Sequence, residues 1–313
     1  MDGLTRVSGL SPGEARRARR GRTRVARGIY ADPGTDPTSI VTRVRAALLA
    51  APAGSAVTGV TSLALSGFDL PDDFRREAGE RVHIRLAAGA RWEPRFAGWV
   101  VHRRPDHCPE MVFRSLGVPT VATAHCWVDA VQRLGHSSHW APWEPEPINL
   151  RGRFESPAKR ALLEAVQLGD ALVRRQNRRV APEQLTACAG AVGRASGARL
   201  VRQAHRLIRP GTDSLMETWL RLVVWDAGFP DPEVNWVIGI DGRRRYLDLA
   251  WPAQKVGLEY HGRQHFDQSS QAFDDMVRRG ELQQAGWTLV EAAFQDLREP
   301  LAVLVRLAKA LNA

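Results

Sequence analysis

The stretch Tyr246-Leu247-Asp248-Leu249-Ala250-Trp251-Pro252-Ala253-Gln254-Lys255-Val256-Gly257-Leu258-Glu259-Tyr260-His261 decides how the last third of the chain folds. Two apolar-rich runs flank Pro252 and the polar residues after it, which predicts a hairpin with a four-residue loop. That loop pairs Trp251 with Val256, and the same register carried back along both strands sets Asp248 opposite Glu259. Directly opposed residues have Cβ atoms about 4.5–5.5 Å apart, where like charges repel. His261 follows two residues later on the same face, while Leu258 and Tyr260 point to the other. A divalent cation such as Mg²⁺ takes one or two carboxylates plus phosphate oxygens, so it would offset the repulsion and could activate water at a scissile phosphate. The competing reading is that one carboxylate is protonated, or paired with Arg245 or Arg263.

Around this hairpin the final hundred residues have a regular rhythm. A helix is expected over 213–227, strands over 233–238, 245–251 and 256–261, a helix over 270–285, a strand over 287–291 and a helix over 301–311. Ser214 and Glu217 have the spacing of a capping box, which is enough to explain both. Glu217 also reads as a third acid projected towards the hairpin, and the two roles are compatible.

Upstream, Ser11-Pro12-Gly13-Glu14 supplies the cap, first-turn proline and N3 glutamate of a helix running to Arg20, and two short strands around Ala26-Arg27 follow it like a wing. Eight arginines lie in residues 1–31 (Arg6, Arg16, Arg17, Arg19, Arg20, Arg22, Arg24 and Arg27) against only Asp2 and Glu14. A single-sign cluster this dense repels itself without an anionic partner, and DNA is the partner it suits. Helices are expected over 40–51, 56–66 and 123–134, strands over 81–86 and 98–103, and mostly helix from 156 to 209. The chain is therefore read as an α+β, α/β multidomain protein. Its segments are a winged-helix-like basic domain (1–36), a mixed α/β middle domain (38–150), a helical connector (151–211) and a C-terminal domain of order αβββαβ (212–313).

The chain has 313 residues, 44% hydrophobic and 25% charged, which is a globular balance with room for two or three domains. No apolar run approaches the roughly 20 residues that span a bilayer, so a cytoplasmic protein with no membrane partner is expected. Net charge is +10, and 41 of the 44 basic residues are arginine, whose planar fork matches phosphate and guanine edges. The charge is uneven: residues 212–313 carry 11 basic against 15 acidic residues, a net of −4, leaving +14 for residues 1–211. The three cysteines, Cys108, Cys126 and Cys188, never pair as CxxC and read as buried thiols. His102, His107, Cys108, His125, Cys126, His136 and His139 lack zinc-finger spacing apart from the pair His136 and His139, and the histidines read as loop and strand-end residues.

Taken together, Glu217, Asp248, Glu259-Tyr260-His261-Gly262-Arg263-Gln264-His265, Asp275-Met276-Val277-Arg278-Arg279 and Leu282-Gln283-Gln284-Ala285-Gly286-Trp287 resemble the PD-(D/E)XK nuclease fold in its Vsr-like (very-short-patch-repair-like) branch. The chain is similar to actinobacterial proteins that join such a restriction-endonuclease-like domain to an N-terminal winged helix resembling that of AbiEi-type antitoxins. The resemblance covers essentially the whole chain and is most specific over 212–298. It implies Asp248 and Glu259 as ligands of Mg²⁺ or Mn²⁺, Glu217 as the first-helix acid, His261 in the place of the motif's lysine, His265 as a proton donor or acceptor, and Arg278 on a phosphate. With Arg16, Arg17, Arg19, Arg20 and Arg24 as DNA contacts, the implied protein is a metal-dependent endonuclease acting in DNA repair or defence, with a homodimer allowed. The alternative is a winged-helix regulator or antitoxin whose nuclease-like domain is inactive. No proline precedes Asp248, and the cysteines do not reproduce the structural zinc site of the Vsr repair enzymes.

Overall fold

The computed structural model describes residues 3–93, 96–104, 112–137, 154, 156–174, 179–262 and 269–312, with side chains of 269–273 outside the description. The chain divides into two compact units, one of residues 1–133 with 184–192 and one of 134–183 with 193–313. The class is mixed α/β, with three sheets among the described residues.

The first unit opens with β1 (Leu4–Arg6), α1 (Pro12–Arg19), β2 (Thr23–Ala26) and β3 (Ile29–Ala31). The capping box forms as its spacing predicts: the Glu14 amide donates to Ser11 Oγ at 3.4 Å, and the Ser11 amide to Glu14 Oε2 at 3.0 Å. Strand β1 was not foreseen; three residues carry too little alternation to announce a strand. It pairs with β3, which also pairs with β2, giving the antiparallel order β1-β3-β2.

Next come α2 (Ile40–Ala50), β4 (Ala56–Val57), α3 (Gly59–Leu65), α4 (Asp72–Glu80), β5 (Val82–Arg85), β6 (Trp99–His102), β7 (Val112–Ser115), β8 (Val118–Val121) and α5 (Thr123–Ser137). The helix expected from residue 56 starts only at Gly59, because Ala56 and Val57 are strand, paired with β5 and β8. Thr58 ends that strand, its hydroxyl donating to the buried Asp129 carboxylate at 2.6 Å. The same Asp129 oxygen accepts Nε and Nη2 of the fully buried Arg85 at 2.9 and 2.7 Å. The five-stranded sheet, in order β6-β5-β4-β8-β7, packs with α2 around Val44, Ala47, Val57, Ile84 and Trp99. The unforeseen β7–β8 hairpin turns on Leu116 and Gly117 at φ 48° and 77°, a pair of left-handed residues that suits a two-residue turn.

The remaining elements are α6 (Pro157–Val173), α7 (Pro182–Gly190), α8 (Ala198–Leu207), α9 (Leu215–Asp226), β9 (Glu233–Ile240), β10 (Arg243–Trp251), β11 (Val256–His261), α10 (Ser269–Gln284), β12 (Thr288–Ala293), α11 (Phe294–Arg298) and α12 (Leu301–Leu311). Most of α7 groups with the first unit and the others with the second. Every residue of α6 from Ala161 to Val173 is buried. Asp170 sits inside it at zero exposure and accepts from the Arg209 amide at 2.8 Å, Thr218 Oγ1 at 2.8 Å and Arg221 Nη2 at 2.9 Å. With Gln167 donating to the Leu215 carbonyl at 2.7 Å, this fixes where α9 begins and so where Glu217 stands.

The four-stranded sheet has the order β12-β11-β10-β9. The loop Pro252–Lys255 forms, and Trp251 pairs with Val256 and Leu249 with Leu258, as the sequence register requires. A second hairpin joins β9 to β10 through Asp241 and Gly242 at φ 47° and 76°, the Asp-Gly signal of a type I′ turn. The crossover through α10 makes β12 parallel to β11, setting Glu259 beside Glu291. Leu247, Ala250, Leu282 and Trp287 form the core between this sheet and α10.

Replacing Asp170 by alanine strands the buried Arg221 guanidinium, so it should destabilise the second unit by about 3–5 kcal/mol. The measurement is the urea midpoint; an unchanged midpoint would show that water replaces the carboxylate without cost.

Candidate functional site

Four elements of the second unit bring the acids together: the first turn of α9 carries Glu217, β10 carries Asp248, β11 carries Glu259 and His261, and β12 carries Glu291. Beside them lies a cleft of about 350 Å³ lined by Arg244, Arg245, Tyr246, Asp248, Glu259, His261 and Arg278, among others. It is rimmed by cations with acids behind them.

The register holds as far as Leu249–Leu258 and then gives way at the expected Asp248–Glu259 pair. There the Asp248 carboxylate itself accepts the Tyr260 amide, at 2.8 Å. Burial pushes Asp248 up to about 7, helped by the charge of Glu217 and then of Glu259, while the Tyr260 amide and Arg278 act in the opposite direction. Glu217 is also raised, first by burial and then by Asp213, against the Asp213 amide and Ser214, which favour its ionised form. The cap read for Glu217 is present: its amide donates to Ser214 Oγ at 3.1 Å, and its Oε2 accepts the Asp213 amide at 2.7 Å.

Glu259 is 3% exposed and fully engaged. Arg278 grips it with both prongs, Nη1 to Oε1 at 2.6 Å and Nη2 to Oε2 at 2.8 Å, while Nη1 also donates to the Tyr246 carbonyl at 3.2 Å. The partner of the buried carboxylate is therefore Arg278, the residue expected on a phosphate. Arg245 instead donates to Glu281 at 2.5 Å. Arg263 and His265 lie outside the described residues.

His261 Nε2 stands 3.6 Å from Glu291 Oε1, and Arg279 Nη2 reaches the same oxygen at 2.7 Å. Sequence reasoning missed Glu291, because it joins the site only through a parallel pairing that spans α10. It also missed Arg244, an exposed cation on the cleft without an ion-pair partner among the described residues.

Among the described residues no group of three or more His, Cys, Asp and Glu side chains is arranged to hold a metal ion. The donor chemistry nevertheless suits a hard cation: Asp248 carries a carboxyl that its surroundings leave short of positive charge. Glu259 could join it only on releasing a guanidinium prong. Elsewhere, His102 Nε2 lies 3.0 Å from His83 Nδ1, Cys126 Sγ donates to the Val121 carbonyl at 3.1 Å, and His136 Nδ1 lies 2.9 Å from Ser196 Oγ. Cys126 and Cys188 are buried thiols; His107, Cys108 and His139 lie outside the described residues. In the first unit, Arg16, Arg17, Arg19, Arg20 and Arg24 are all exposed. No helix among the described residues is long and apolar enough to cross a membrane.

The fold and cleft define a two-unit α/β protein whose second unit has a cleft lined by acids and arginines, with Glu259 buried among them. No family model matches the chain. Over 102 residues it is 34% identical to uncharacterized proteins from two strains of Mycobacterium tuberculosis, an alignment covering 32% of this chain. That similarity spans 38% of the length of these relatives.

The raised Asp248 pKa has a direct consequence for stability. Below about pH 4 the group is protonated both folded and unfolded and costs nothing. As pH rises the unfolded chain ionises first, so stability is lost progressively until the folded group also ionises near 7. Asp248→Asn should therefore be more stable than the wild type at pH 8, by roughly 2–4 kcal/mol, and match it near pH 4. Melting temperatures at the two pH values check this; an equal difference at both would place the strain elsewhere.

Proposed function

We propose that this chain is a DNA-binding protein whose second unit hydrolyses phosphodiesters with a divalent metal, in the manner of the Vsr-like PD-(D/E)XK nucleases, in DNA repair or defence. The observation that carries the reading is the carboxyl of Asp248, held near 7 between Glu217 and Glu259 at the base of an arginine-rimmed cleft. The element order α9-β9-β10-β11-α10-β12 agrees with the restriction-endonuclease-like arrangement. The exposed arginines of α1 and β2 suit a phosphate backbone, to which an AbiEi-like winged helix would bind.

A Mg²⁺ or Mn²⁺ ion held by Asp248 and Glu259 would acidify a bound water and neutralise charge on the phosphate. The chain's own residues do the rest. Arg278 leaves Glu259 for a non-bridging phosphate oxygen, exchanging one bidentate anion for another. Arg244 meets a neighbouring phosphate, and His261, whose buried Nε2 has no hydrogen-bond partner, takes a proton from the attacking water. Water oxygen bonds to phosphorus, the bridging P–O bond breaks, and the leaving oxygen takes a proton from solvent water, to which His261 in turn releases the one it accepted.

The tight Arg278–Glu259 pair and the histidine at position 261 also favour a second reading, a DNA-binding regulator or antitoxin with an inactive nuclease-like unit. Incubation with plasmid and single-stranded DNA separates the two. Under the first reading Mg²⁺ or Mn²⁺ gives nicking that EDTA stops, and Asp248→Ala and Glu259→Ala lower it by about a hundredfold or more. Arg278→Ala should cleave at least about tenfold more slowly, yet bind Mn²⁺ more tightly than the wild type without DNA. Sequence-selective binding with no cleavage under any metal would establish the second reading, and nicking that persists in Asp248→Ala would overturn the site.

A further inference from the structure

We propose that the first unit holds a receptor for an unstacked nucleobase, built from Trp92, Phe96 and Trp99 and flanked by arginines. The choice of DNA as the ligand's source rests on the functional reading above, but the pocket lies in the first unit and uses none of the residues of the acidic cleft. Two hollows, of about 670 and 460 Å³, share Phe96 and Trp99 as a common wall. Arg6, Arg19, Arg27 and Arg91 line the larger, and Arg24 and Arg43 the smaller.

The aromatic residues form a stepped platform. Trp99 is buried at the start of β6, with the Trp92 ring 5.5 Å away between centroids and tilted by 31°, and the Phe96 ring 5.2 Å away and edge-on at 69°. Phe96 remains 38% exposed, although burying a phenylalanine ring is favourable. Gly98 permits this placement: a Cβ there would lie 2.5 Å from Phe96 Cε1. The ring is thus seated against Trp99 while part of it faces solvent.

The charges around the platform call for an anion. Arg27 and Arg91 are exposed and have no acidic partner among the described residues. Arg6 donates to Ser8 Oγ at 2.5 Å and to the Leu49 carbonyl at 2.8 Å, both neutral groups, and Arg19 lies 5.8 Å from the Tyr30 ring centre. The carboxylate of Glu93, also on the larger hollow, is paired with Arg103 at 2.7 Å. Aromatic surface next to unpaired guanidinium groups is the combination that holds single-stranded nucleic acid, where bases stack and phosphates meet cations. In a duplex the base faces are covered by their neighbours, so this platform can act only on a single strand or an extruded nucleotide. The hollow thereby gives the arginine-rich unit a substrate class: DNA with unpaired bases.

Binding of a labelled oligothymidylate of about 15 nucleotides and of a duplex of equal length, in EDTA, tests the inference. Phe96→Ala should weaken the single strand about tenfold and change the duplex less than about twofold. Phe96→Leu retains apolar cover without a π face, so it should melt like the wild type and lose the same single-strand affinity. The double variant Arg27→Ala, Arg91→Ala should flatten the salt dependence of single-strand binding by a slope of about 1.4. Full single-strand affinity in either Phe96 variant, or an equal loss on the duplex, would overturn the pocket. Plasmid cleavage separates the two proposals: cleavage intact with Phe96-insensitive binding sinks this pocket alone, while absent cleavage with Phe96-sensitive binding sinks the nuclease reading alone.

Discussion

A carboxylate withdrawn from water needs donors or a counter-ion, and around the β10–β11 junction three of them compete for too few. Glu259 takes the guanidinium of Arg278, both prongs at once. Glu217 takes the Asp213 amide at the start of its own helix. Asp248 is left with one backbone donor, the Tyr260 amide, and that bond takes the place of the cross-strand pair the register would have made. The arrangement also positions the helix: Arg278 reaches Glu259 and the Tyr246 carbonyl from α10, so the ion pair holds α10 across the exposed end of the strands. A second polar tie, from Arg245 of β10 to Glu281 of α10 at 2.5 Å, holds the same helix from the other strand of the hairpin.

Buried ion pairs occur elsewhere in the protein, and they differ in a way that separates support from chemistry. Asp170 accepts three donors, from Arg209, Thr218 and Arg221, shared between its two oxygens. Asp129 accepts three on a single oxygen, from Thr58 and from two nitrogens of Arg85. Asp170 has donors on both oxygens, whereas Asp129 Oδ1 is buried without one; both are enclosed by protein and tie helices to their neighbours. Asp248 lines a cleft with one donor and two acids nearby, and burial first, then the charges of Glu217 and Glu259, push its carboxyl up to about 7. A fully served carboxylate has no reason to bind anything else; an underserved one at a cleft does.

Much of this was legible along the chain because it is local. The Ser11–Glu14 box, the Ser214 cap and the Pro252–Lys255 loop each depend on residues three or four apart, and each formed where the spacing put it. Alternation fixed the faces of Asp248, Glu259 and His261. It could not show that Asp248 would accept a main-chain amide, since a side chain bonding to the backbone leaves no trace in a hydrophobic pattern. Nor could it choose Arg278 over Arg245 or Arg263 for Glu259, because α10 supplies that cation from outside the hairpin. Glu291 is the extreme case, meeting His261 only after a parallel crossover. The strand at Ala56 and Val57 hid for a related reason: two small apolar residues fit a helix start as well as a strand, and only pairing with β5 and β8 decides.

The distribution of charge follows from the same competition. A cluster of acids keeps a cation-binding character only where neighbouring basic residues do not neutralise it, and residues 212–313 carry a net of −4 while residues 1–211 carry +14. Basic residues outnumber acids in residues 1–211 and are outnumbered in 212–313, and within the acidic site Arg278 is the guanidinium bound to Glu259. The cation that neutralises Glu259 is then also one that a phosphate can draw away, because guanidinium binds both anions through the same two-pronged geometry. A polyanion lying in the cleft would thus free Glu259 as it engages Arg278, so the acidic site would gain its second open carboxylate when a phosphate is present to use it.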